Sequence, residues 1–529
     1  MTSVAGIDRD GGPPSARTWL LAILAIAAVL RIVLYAGFFG SDEVTYVESA
    51  YKLLQGDWSV EEYVGANRYG VNLPIAAFGA LFGVSEWSAA AYGFLSSVAE
   101  VVLVTWFGMR MFGTRAGAIA GIVMACLPMH LHFAGRLLAD PPLCLAITAS
   151  FLLFYQGERS GSKLAYFAAG CAAGLSFWVK PVVAFYLLVF VAYPFLFRRW
   201  TWRWAWMAAG FALLVLANCA LFLALTGDAW YLFRVMAARR ASGYLAEGTA
   251  AGAIADTPHF YLVYLFGKIY HTGLLAYLAV AGILVGVAAR RHGGEAKRYA
   301  FAFTLWWALG LLAVLSVLVV SIHPLMYVPK QTNYMLIFVA PLCLLAGVAL
   351  AALPGKFGGL AVSATVAFAV GLAVLLQASL QAFTSNSKAA VQFARDHPTA
   401  EVYGSTNAYR AASFESLVRP SAPEGRIRSM QDLFPRGAGP SQAENAAVDR
   451  FAIVDLETVG WSAKEPVRRL QDVPSCWMKV GTLEPAGLGV GSRTVRWLSD
   501  TLGGLPAALQ RVGTPAPAVV YRVPAGRCG

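Results

Sequence analysis

The feature that most constrains this chain is a series of long apolar stretches, which recur from Trp19 to about Gln381. An α-helix needs about 20 consecutive apolar residues to cross a bilayer, and the sequence supplies that length repeatedly. Hydrophobic residues make up 58% of the 529 residues and charged residues only 13%, about half of the ~25% that is usual in soluble proteins. The pattern predicts a polytopic all-α membrane protein and excludes a soluble enzyme, a disordered chain and a collagen-like fibre.

We predict about eleven to thirteen transmembrane helices from the lengths of these stretches. The predicted spans are residues 19–39, 86–107, 115–133, 139–156, 163–179, 181–197, 203–226, 262–289, 299–321, 333–353 and 358–381. The apolar run 71–84 is too short to cross the bilayer alone. An interfacial or re-entrant segment is the alternative at that position.

The distribution of charge predicts how the helices are oriented. The formal net charge of +12 comes from 41 basic and 29 acidic residues, and basic residues concentrate in cytoplasmic loops of membrane proteins, so nucleic acid is not needed to explain it. Alternate loops are basic and contain Arg110, Arg115, Arg159, Lys163, Arg198, Arg199, Arg203, Arg290, Arg291, Lys297, Arg298 and Lys356. The opposite loops hold most of the acids. We therefore expect a protein of the cytoplasmic (inner) membrane whose acidic loops and C-terminal part face outward.

The composition changes near residue 385 and predicts two domains. Residues 1–384 are expected to form the transmembrane domain, with a first external loop at 40–85, and residues 385–529 a small external α/β domain. The expected elements of the second domain are a helix at Lys388–Asp396 and strands at Glu401–Ser405, Arg450–Leu456 and Ala518–Val523. Cys476 and Cys528 both fall in this domain, and an oxidising compartment permits a disulfide between them.

Several acidic residues lie at the predicted outer ends of spans, where ionisable side chains are costly and usually functional. Asp42 and Glu43 follow Ser41 just outside the first span. One interpretation is a capped interfacial helix with acids in its first turn; the other is a carboxylate that acts as a general base or as an anchor for a metal ion or acceptor. Asp140, followed by Pro141, is either a helix cap or a second acid that faces Asp42 or Glu43.

Cationic candidates lie on the same side. Lys180 falls between two spans with almost no loop, and is interpreted either as a lysine that extends to the membrane surface or as a binding group for an anionic headgroup. Further candidates on this side are Arg68, His323 and Lys330, and Arg31 lies deep in the first span. His323 alone is more often structural than a ligand. The sequence has no HExxH, Walker, GxSxG or paired CxxC motif, so zinc protease, nucleotide hydrolase and serine hydrolase functions lack support.

Taken in order, the motifs resemble the GT-C class of membrane glycosyltransferases. They are an Asp-Glu pair after the first span, Ala139-Asp140-Pro141, the segment Gly174–Pro181, and a Lys-x-x-x-Tyr segment from Lys330 that leads into a span containing Pro341. Within that class the chain looks most like the branch of aminoarabinose and protein mannosyltransferases, over residues 19–355.

One departure concerns the first loop. The aminoarabinose branch has a Lys-Pro-Pro-Leu-like element where this chain reads Asn67-Arg68-Tyr69-Gly70-Val71-Asn72-Leu73-Pro74. Arg68 would then replace the lysine, and the sugar of the donor stays open.

The resemblance implies transfer of a sugar from a polyprenyl-phosphate donor to a lipid, glycan or protein acceptor at the outer face of the membrane, as in lipopolysaccharide modification. Asp42 or Glu43 would be the general base and Asp140 a second acid in the same cavity. The implied donor phosphate ligands are Lys180, Lys330, Arg68 and His323. Polyprenyl phosphate is a good leaving group, so cations suffice to stabilise it, whereas the acceptor hydroxyl needs a base. This combination fits single displacement with inversion.

Three points stay open at this stage. A divalent metal ion bound by Asp42, Glu43, Asp140 or His323 is compatible with these residue types, but their spacing is not diagnostic. A lipid or solute transporter or flippase is the alternative function, and predicts charged residues near the middle of several spans, where Arg31 is the main example. A non-catalytic scaffold that presents residues 385–529 is a third interpretation.

Overall fold

The structure is a computed structural model and describes residues 15–241, 257–290, 294–322, 325–328, 330–419, 426–434, 448–460, 462 and 465–524. Helices make up most of the described chain up to residue 396. They are α1 (Ala16–Val33), α2 (Glu43–Leu54), α3 (Tyr69–Phe82), α4 (Glu86–Phe112), α5 (Thr114–Cys126), α6 (Pro128–Ala134), α7 (Asp140–Ser160), α8 (Lys163–Val179), α9 (Leu187–Phe197), α10 (Trp204–Thr226), α11 (Tyr231–Ala241), α12 (Phe260–Gly267), α13 (Ile269–Thr272), α14 (Leu275–Ala289), α15 (Glu295–Val317), α16 (Val339–Ala352) and α17 (Gly355–Asp396). Short 3₁₀ segments, Pro181–Tyr186 and Thr332–Phe338, precede α9 and α16, and a hairpin of β1 (Val319–Ile322) and β2 (Leu325–Tyr327) follows α15.

The described residues include six helices that are long and apolar enough to cross a membrane, or seven if the bent pair α5 and α6 forms one span. Four shorter apolar stretches of helix, Tyr69–Phe82, Lys163–Val179, Ala184–Phe197 and Leu275–Ala289, accompany them. The prediction of a polytopic helical membrane protein is therefore confirmed. Segment 71–84 lies in α3, a helix of 14 residues, up to Phe82 where that helix ends.

Two predicted spans are interrupted, and each break has a local cause. Span 115–133 bends by 58° between α5 and α6, because Pro128 has no N–H for the helix ladder and disfavours a helical Leu127 before it. Span 262–289 is divided into α12, α13 and α14, with Gly273 at φ +55° before the last piece. The first break gives α6 its own direction, which leads the chain towards Asp140.

Contacts between loops support the predicted alternation of charge. Arg115 donates to the carbonyl of Leu353 (3.0 Å), so the loop before α5 meets the loop before α17. Arg199 pairs with Glu158 (3.8 Å) and lies 5.0 Å from the ring centroid of Tyr299. We call this side of the bundle the basic end. Asp42 and Asp140 lie at the opposite end.

The chain after α17 builds a small α/β region, as predicted. It contains β3 (Glu401–Gly404), α18 (Thr406–Val418), β4 (Ile427–Ser429), β5 (Arg450–Val454), β6 (Met478–Leu483), α19 (Val490–Thr501), α20 (Ala507–Gly513) and β7 (Ala518–Arg522). The strand order is β4-β3-β5-β7-β6, with β3 parallel to β4 and β5, and β7 antiparallel to β5 and β6. We call residues 397–524 the C-terminal region. Cys476 is disulfide-bonded, whereas Cys528, its predicted partner, lies outside the described residues.

One continuous helix joins the bundle to the C-terminal region. Helix α17 has 42 residues and runs through position 385 to Asp396, so the predicted boundary falls inside a helix and the expected helix Lys388–Asp396 is its last part.

In the C-terminal region, burial raises the pKa of Asp455. Its carboxylate accepts a hydrogen bond from Asn386 of α17 (2.9 Å), which fixes the sheet to the helix.

Glycines set the distance between α8 and α10. A Cβ atom at Gly170 would overlap with the carbonyl oxygen of Met207, and one at Gly210 with that of Phe167. Each helix thus places its backbone against the other at a position without a side chain, a packing mode common between transmembrane helices. Since α8 ends just before Lys180, this contact also fixes one wall of the cluster described below.

We therefore expect Gly170→Ala to destabilise the protein by about 1–3 kcal/mol, because the added methyl group has no space. The matched control is Gly371→Ala in α17, where no atom lies within 4 Å of the position that the added methyl group would take. Thermal unfolding in detergent measures both variants. Equal melting temperatures for the two would contradict the packing argument.

Candidate active site

Asp140 forms the centre of a buried polar cluster at the end of the bundle opposite the basic end. It is the first residue of α7 and makes no capping hydrogen bond. Its Oδ1 instead accepts from Lys180 Nζ (3.1 Å) and from Asn333 Nδ2 (3.0 Å). Asp140 and Lys180 are only 2% and 6% exposed. The interpretations of Asp140 as a cap and of Lys180 as a surface lysine are therefore wrong.

The sequence around Lys180 explains its position. Pro181 prevents α8 from continuing, and Lys180 takes a non-helical conformation (φ −156°, ψ 84°). Its Nζ lies 4.7 Å from the ring centroid of Tyr334, within the range of a cation–π interaction. Asn333 and Tyr334 thus contact both members of the ion pair from a single 3₁₀ segment.

Asp42 lies at the start of α2, half-buried, and its side chain does not cap the helix. Its Oδ1 accepts from the hydroxyl of Tyr63 (3.0 Å) and its Oδ2 from that of Tyr46 (3.4 Å). Tyr46 is one helical turn after Asp42, so α2 itself brings the two together. These phenols are not among the site residues that the sequence predicts. A tyrosine four positions after an acid in an amphipathic stretch is the signal that could have found one of them.

Tyr46 links the acidic and the cationic groups. Its hydroxyl accepts a hydrogen bond from Arg68 Nη1, and the guanidinium lies 5.6 Å from the Tyr46 ring centroid. Asp42, Arg68 and Asp140 all interact electrostatically with Tyr46. The Nε of Arg68 is buried and has no hydrogen-bond partner among the described residues. Because buried polar groups are nearly always hydrogen-bonded, this atom is a candidate to bind a ligand.

The first loop is held together by its own polar side chains. Lys52 Nζ donates to Glu61 (2.7 Å), and this bond raises the pKa of Lys52. Asn67 accepts from the backbone N–H of Glu61 (3.2 Å) and donates back to its carbonyl (2.5 Å). These contacts order the segment that presents Tyr63 and Arg68 to the cluster.

Glu43 has a different environment from Asp42. It is completely buried, and its carboxylate accepts three backbone N–H groups, those of Phe39 (2.8 Å), Gly40 (3.2 Å) and Ser41 (2.8 Å). Three hydrogen bonds from backbone N–H groups hold this carboxylate in one position. Glu43 therefore holds the loop in its fold, whereas the hydrogen bonds described for Asp42 come from two phenol hydroxyls.

Arg136 is a cation to which the sequence assigns no role. It follows α6, and its guanidinium lies 4.1 Å from the ring centroid of Phe39 and 3.5 Å from His132 Nε2. Its Nε, like that of Arg68, is buried without a hydrogen-bond partner in the described part of the chain. The charges of Glu43, Asp140 and Asp42 all act on it. An arginine four residues before Asp140 in the same short loop is the signal that could have identified it.

Lys330 and His323 complete the set of predicted donor ligands. Lys330 is fully buried, donates to the carbonyl of Val328 (3.3 Å), and lies 5.0 Å from the ring centroid of Tyr327. It precedes the segment that carries Asn333, and its contact with the donor stays a prediction. His323 lies outside the described residues.

The acidic side chains of the cluster are not arranged as metal ligands. Glu43 already accepts three N–H groups, and one oxygen of Asp140 already accepts from Lys180 and Asn333. Within the described ranges, no group of three or more His, Cys, Asp or Glu side chains could hold a metal ion. These residues do not fit a metal site as they are arranged, and we derive no step through one.

Comparison with solved structures identifies the fold. The structure of ArnT from Cupriavidus metallidurans in the apo state matches with a TM-score of 0.55 at 18% identity, over 96% of this chain and 98% of that one. The same protein bound to undecaprenyl phosphate matches with a TM-score of 0.53 at 17% identity and the same coverage. The chain has the GT-C fold. The fold that the resemblance implied is thereby confirmed.

Comparison of sequences also finds similarity to membrane glycosyltransferases. Residues 70–222 match the dolichyl-phosphate-mannose-protein mannosyltransferase family. An undecaprenyl phosphate-alpha-4-amino-4-deoxy-L-arabinose arabinosyl transferase from Pseudomonas paraeruginosa is 25% identical over 387 residues, which cover 69% of this chain and 65% of that protein. The match thus spans slightly less than two thirds of the relative's length.

The buried pair Asp140–Lys180 makes a stability prediction. Lys180→Met leaves a buried carboxylate without its counter-charge, and we expect it to cost about 3–5 kcal/mol. The double variant Lys180→Met, Asp140→Asn removes both charges and should recover much of that loss, because the amide can still accept from Asn333. Thermal unfolding in detergent of both single variants and the double variant measures this coupling. Additive losses would contradict it.

Proposed function

We propose that this protein is a membrane glycosyltransferase that moves a sugar from a polyprenyl-phosphate donor to an acceptor hydroxyl. The supporting observation is that one phenol, Tyr46, hydrogen-bonds to a carboxylate, Asp42, and to a guanidinium, Arg68, beside the pair Asp140–Lys180. A base for the acceptor and cations for the leaving phosphate therefore lie within one cluster. The shared fold and the arabinosyl transferase relatives support the same class of reaction.

In this proposal Asp42 is the general base. It is half-buried, and the contacts described for its carboxylate are two phenol hydroxyls rather than a cation. A carboxylate of this kind can accept a proton from an acceptor hydroxyl within hydrogen-bond reach. The hydroxyl oxygen then attacks the anomeric carbon as the bond to the phosphate oxygen breaks. The configuration inverts, because the reaction is a single displacement.

Stabilisation of the leaving phosphate falls to the cations. Arg68 and Arg136 each have a buried Nε without a described partner, and guanidinium groups bind phosphate through several donors at once. Lys180 is already paired with Asp140, so it contributes charge while Asp140 and the ring of Tyr334 fix its position. Lys330 is proposed as a further cation on the donor side. Since these charges lie in a partly dry site, they act more strongly than they would in water.

The proposed setting is the outer face of the cytoplasmic membrane. The basic end of the bundle would face the cytoplasm by the positive-inside rule, so the cluster and the C-terminal region would face outward. A lipid-linked donor can enter such a site from the bilayer between helices. The acceptor is a lipid, a glycan or a protein, and the proposed domain organisation places residues 385–529 beside it.

A transporter is the competing function, and one observation bears on it. Arg31, His130 and Glu100 lie inside the bundle, where Arg31 Nη2 contacts His130 Nδ1 (2.6 Å) and His130 Nε2 contacts Glu100 (3.1 Å). Ser97 and Thr148 complete this chain of contacts. Because each group is satisfied by a neighbour, the network fits a structural role that holds α6 against α1, α4 and α7.

Asp42→Asn should abolish transfer while binding of the donor phosphate is retained. Loss of a general base lowers kcat by about 10²–10⁴-fold, and the amide still accepts from Tyr63. The matched control is Asp57→Asn, an exposed acid of the same loop whose carboxylate accepts from the N–H of Ser59. Transfer is measured with polyprenyl-phosphate sugars in detergent, and binding with sugar-free polyprenyl phosphate. Unchanged transfer by Asp42→Asn would refute the proposed base.

Arg68→Met and Arg136→Met should instead weaken phosphate binding. A hydrogen bond to a charged group contributes about 1.5–3 kcal/mol, so the dissociation constant of polyprenyl phosphate should rise about 10- to 100-fold in each variant. Arg115→Met at the basic end is the control, since Arg115 contacts only a carbonyl among its described hydrogen bonds. Affinities equal to wild type would remove these two residues from the donor site.

A further inference from the structure

The segment between α1 and α2 carries the proposed base at its end and has no regular structure of its own. Residues 35–39 form neither helix nor strand, so their backbone polar groups must find partners elsewhere. Glu43 accepts the N–H groups of Phe39, Gly40 and Ser41. We call residues 35–41 the base loop. Three backbone N–H groups of this part of the chain are thus bound by Glu43, a residue of the helix bundle.

Side chains of the C-terminal region bind two backbone carbonyl groups of the base loop. Asn407 Nδ2 donates to the carbonyl of Phe39 (2.7 Å), and Arg410 Nη1 donates to that of Gly40 (2.9 Å). Both side chains come from the first turns of α18. Asn407 is 1% exposed, and its Oδ1 accepts from Ser387 of α17 (2.7 Å). Its orientation is therefore fixed by two partners.

Aromatic contacts reinforce these hydrogen bonds. Phe38 stacks on Phe414 of α18 (centroids 4.8 Å apart), and Phe39 stacks on Phe383 of α17 (5.1 Å). The Phe39 ring also lies 4.1 Å from the Arg136 guanidinium. The base loop is therefore in contact with the C-terminal region and with a proposed phosphate ligand.

The conformation and the surroundings of residue 40 require a glycine. Gly40 has φ +100°, and a Cβ atom there would overlap with Asn407 Nδ2. A glycine satisfies both demands, because it has no side chain and tolerates positive φ. The contact between the base loop and α18 thus depends on Gly40 in the loop and on Asn407 in the helix.

We propose that Asn407 and Arg410 are positioning residues of the transferase reaction, through which the C-terminal region fixes Asp42 in its productive place. This inference rests on the proposed function. Neither residue touches the polar cluster in its described contacts, so both act through the base loop. A displacement of about 1 Å at a reacting group can cost about 10²-fold in rate. The C-terminal region then contributes to catalysis itself, beyond covering the site or receiving the acceptor.

The test compares Asn407→Ala, Arg410→Ala and Arg410→Lys with wild type in the full-length protein. We expect kcat to fall about 10-fold or more in both alanine variants, with the donor KM and the affinity for sugar-free polyprenyl phosphate within about twofold of wild type. Arg410→Lys should recover part of the rate, since an ammonium can still donate to the Gly40 carbonyl. Arg511→Ala is the control, because Arg511 is an exposed arginine of the same region whose ion pair with Glu457 lies away from the base loop.

Amide hydrogen exchange of residues 38–43 provides a readout that is independent of transfer. We expect faster exchange there in the Asn407 and Arg410 alanine variants and wild-type exchange in Arg511→Ala. Unchanged exchange, or faster exchange with an unchanged kcat, overturns the inference. A higher donor KM with an unchanged kcat also overturns it. If Asp42→Asn still transfers sugar, the proposed base is wrong, whereas exchange at 38–43 still decides whether α18 holds the loop.

Discussion

A buried carboxylate in a membrane protein needs a counter-charge or hydrogen-bond donors, and the arrangement of the cluster follows from how Asp140 meets that requirement. Its oxygen accepts from Lys180 and Asn333, which brings the start of α7, the end of α8 and the segment before α16 to one point. Removal of one charge from such a pair leaves the other uncompensated. The remaining groups, Asp42 and Arg68, are then placed around this fixed point by the first loop through Tyr46.

Much of the fold could be predicted from the sequence, because a bilayer imposes a strong condition on length and polarity. The predicted span 163–179 has the bounds of α8, and the strand expected at Ala518–Val523 ends one residue earlier in the structure. Breaks within spans could not be predicted in this way. Hydropathy averages over a window, so it does not register Pro128 or the positive φ of Gly273.

The site was less predictable, for physical reasons. Asp140 and Lys180 are recognisable as charged residues at span ends, and the structure brings them into direct contact. The different environments of Asp42 and Glu43 depend on backbone N–H groups, which nearly every residue has and no sequence pattern distinguishes. Arg136 lies only four residues before Asp140, but its contact with Phe39 joins segments that are distant in the sequence, and no local pattern predicts that contact.

The length of α17 has a consequence for the position of the C-terminal region relative to the membrane. A helix of 42 residues extends about 63 Å, roughly twice the ~30 Å thickness of the hydrocarbon layer. Its first part is long enough to span that layer with some tilt, while its last part carries Phe383 and Asn386 to their partners beyond the bundle. Because the helix is continuous, a change in its tilt also moves the C-terminal region relative to the bilayer.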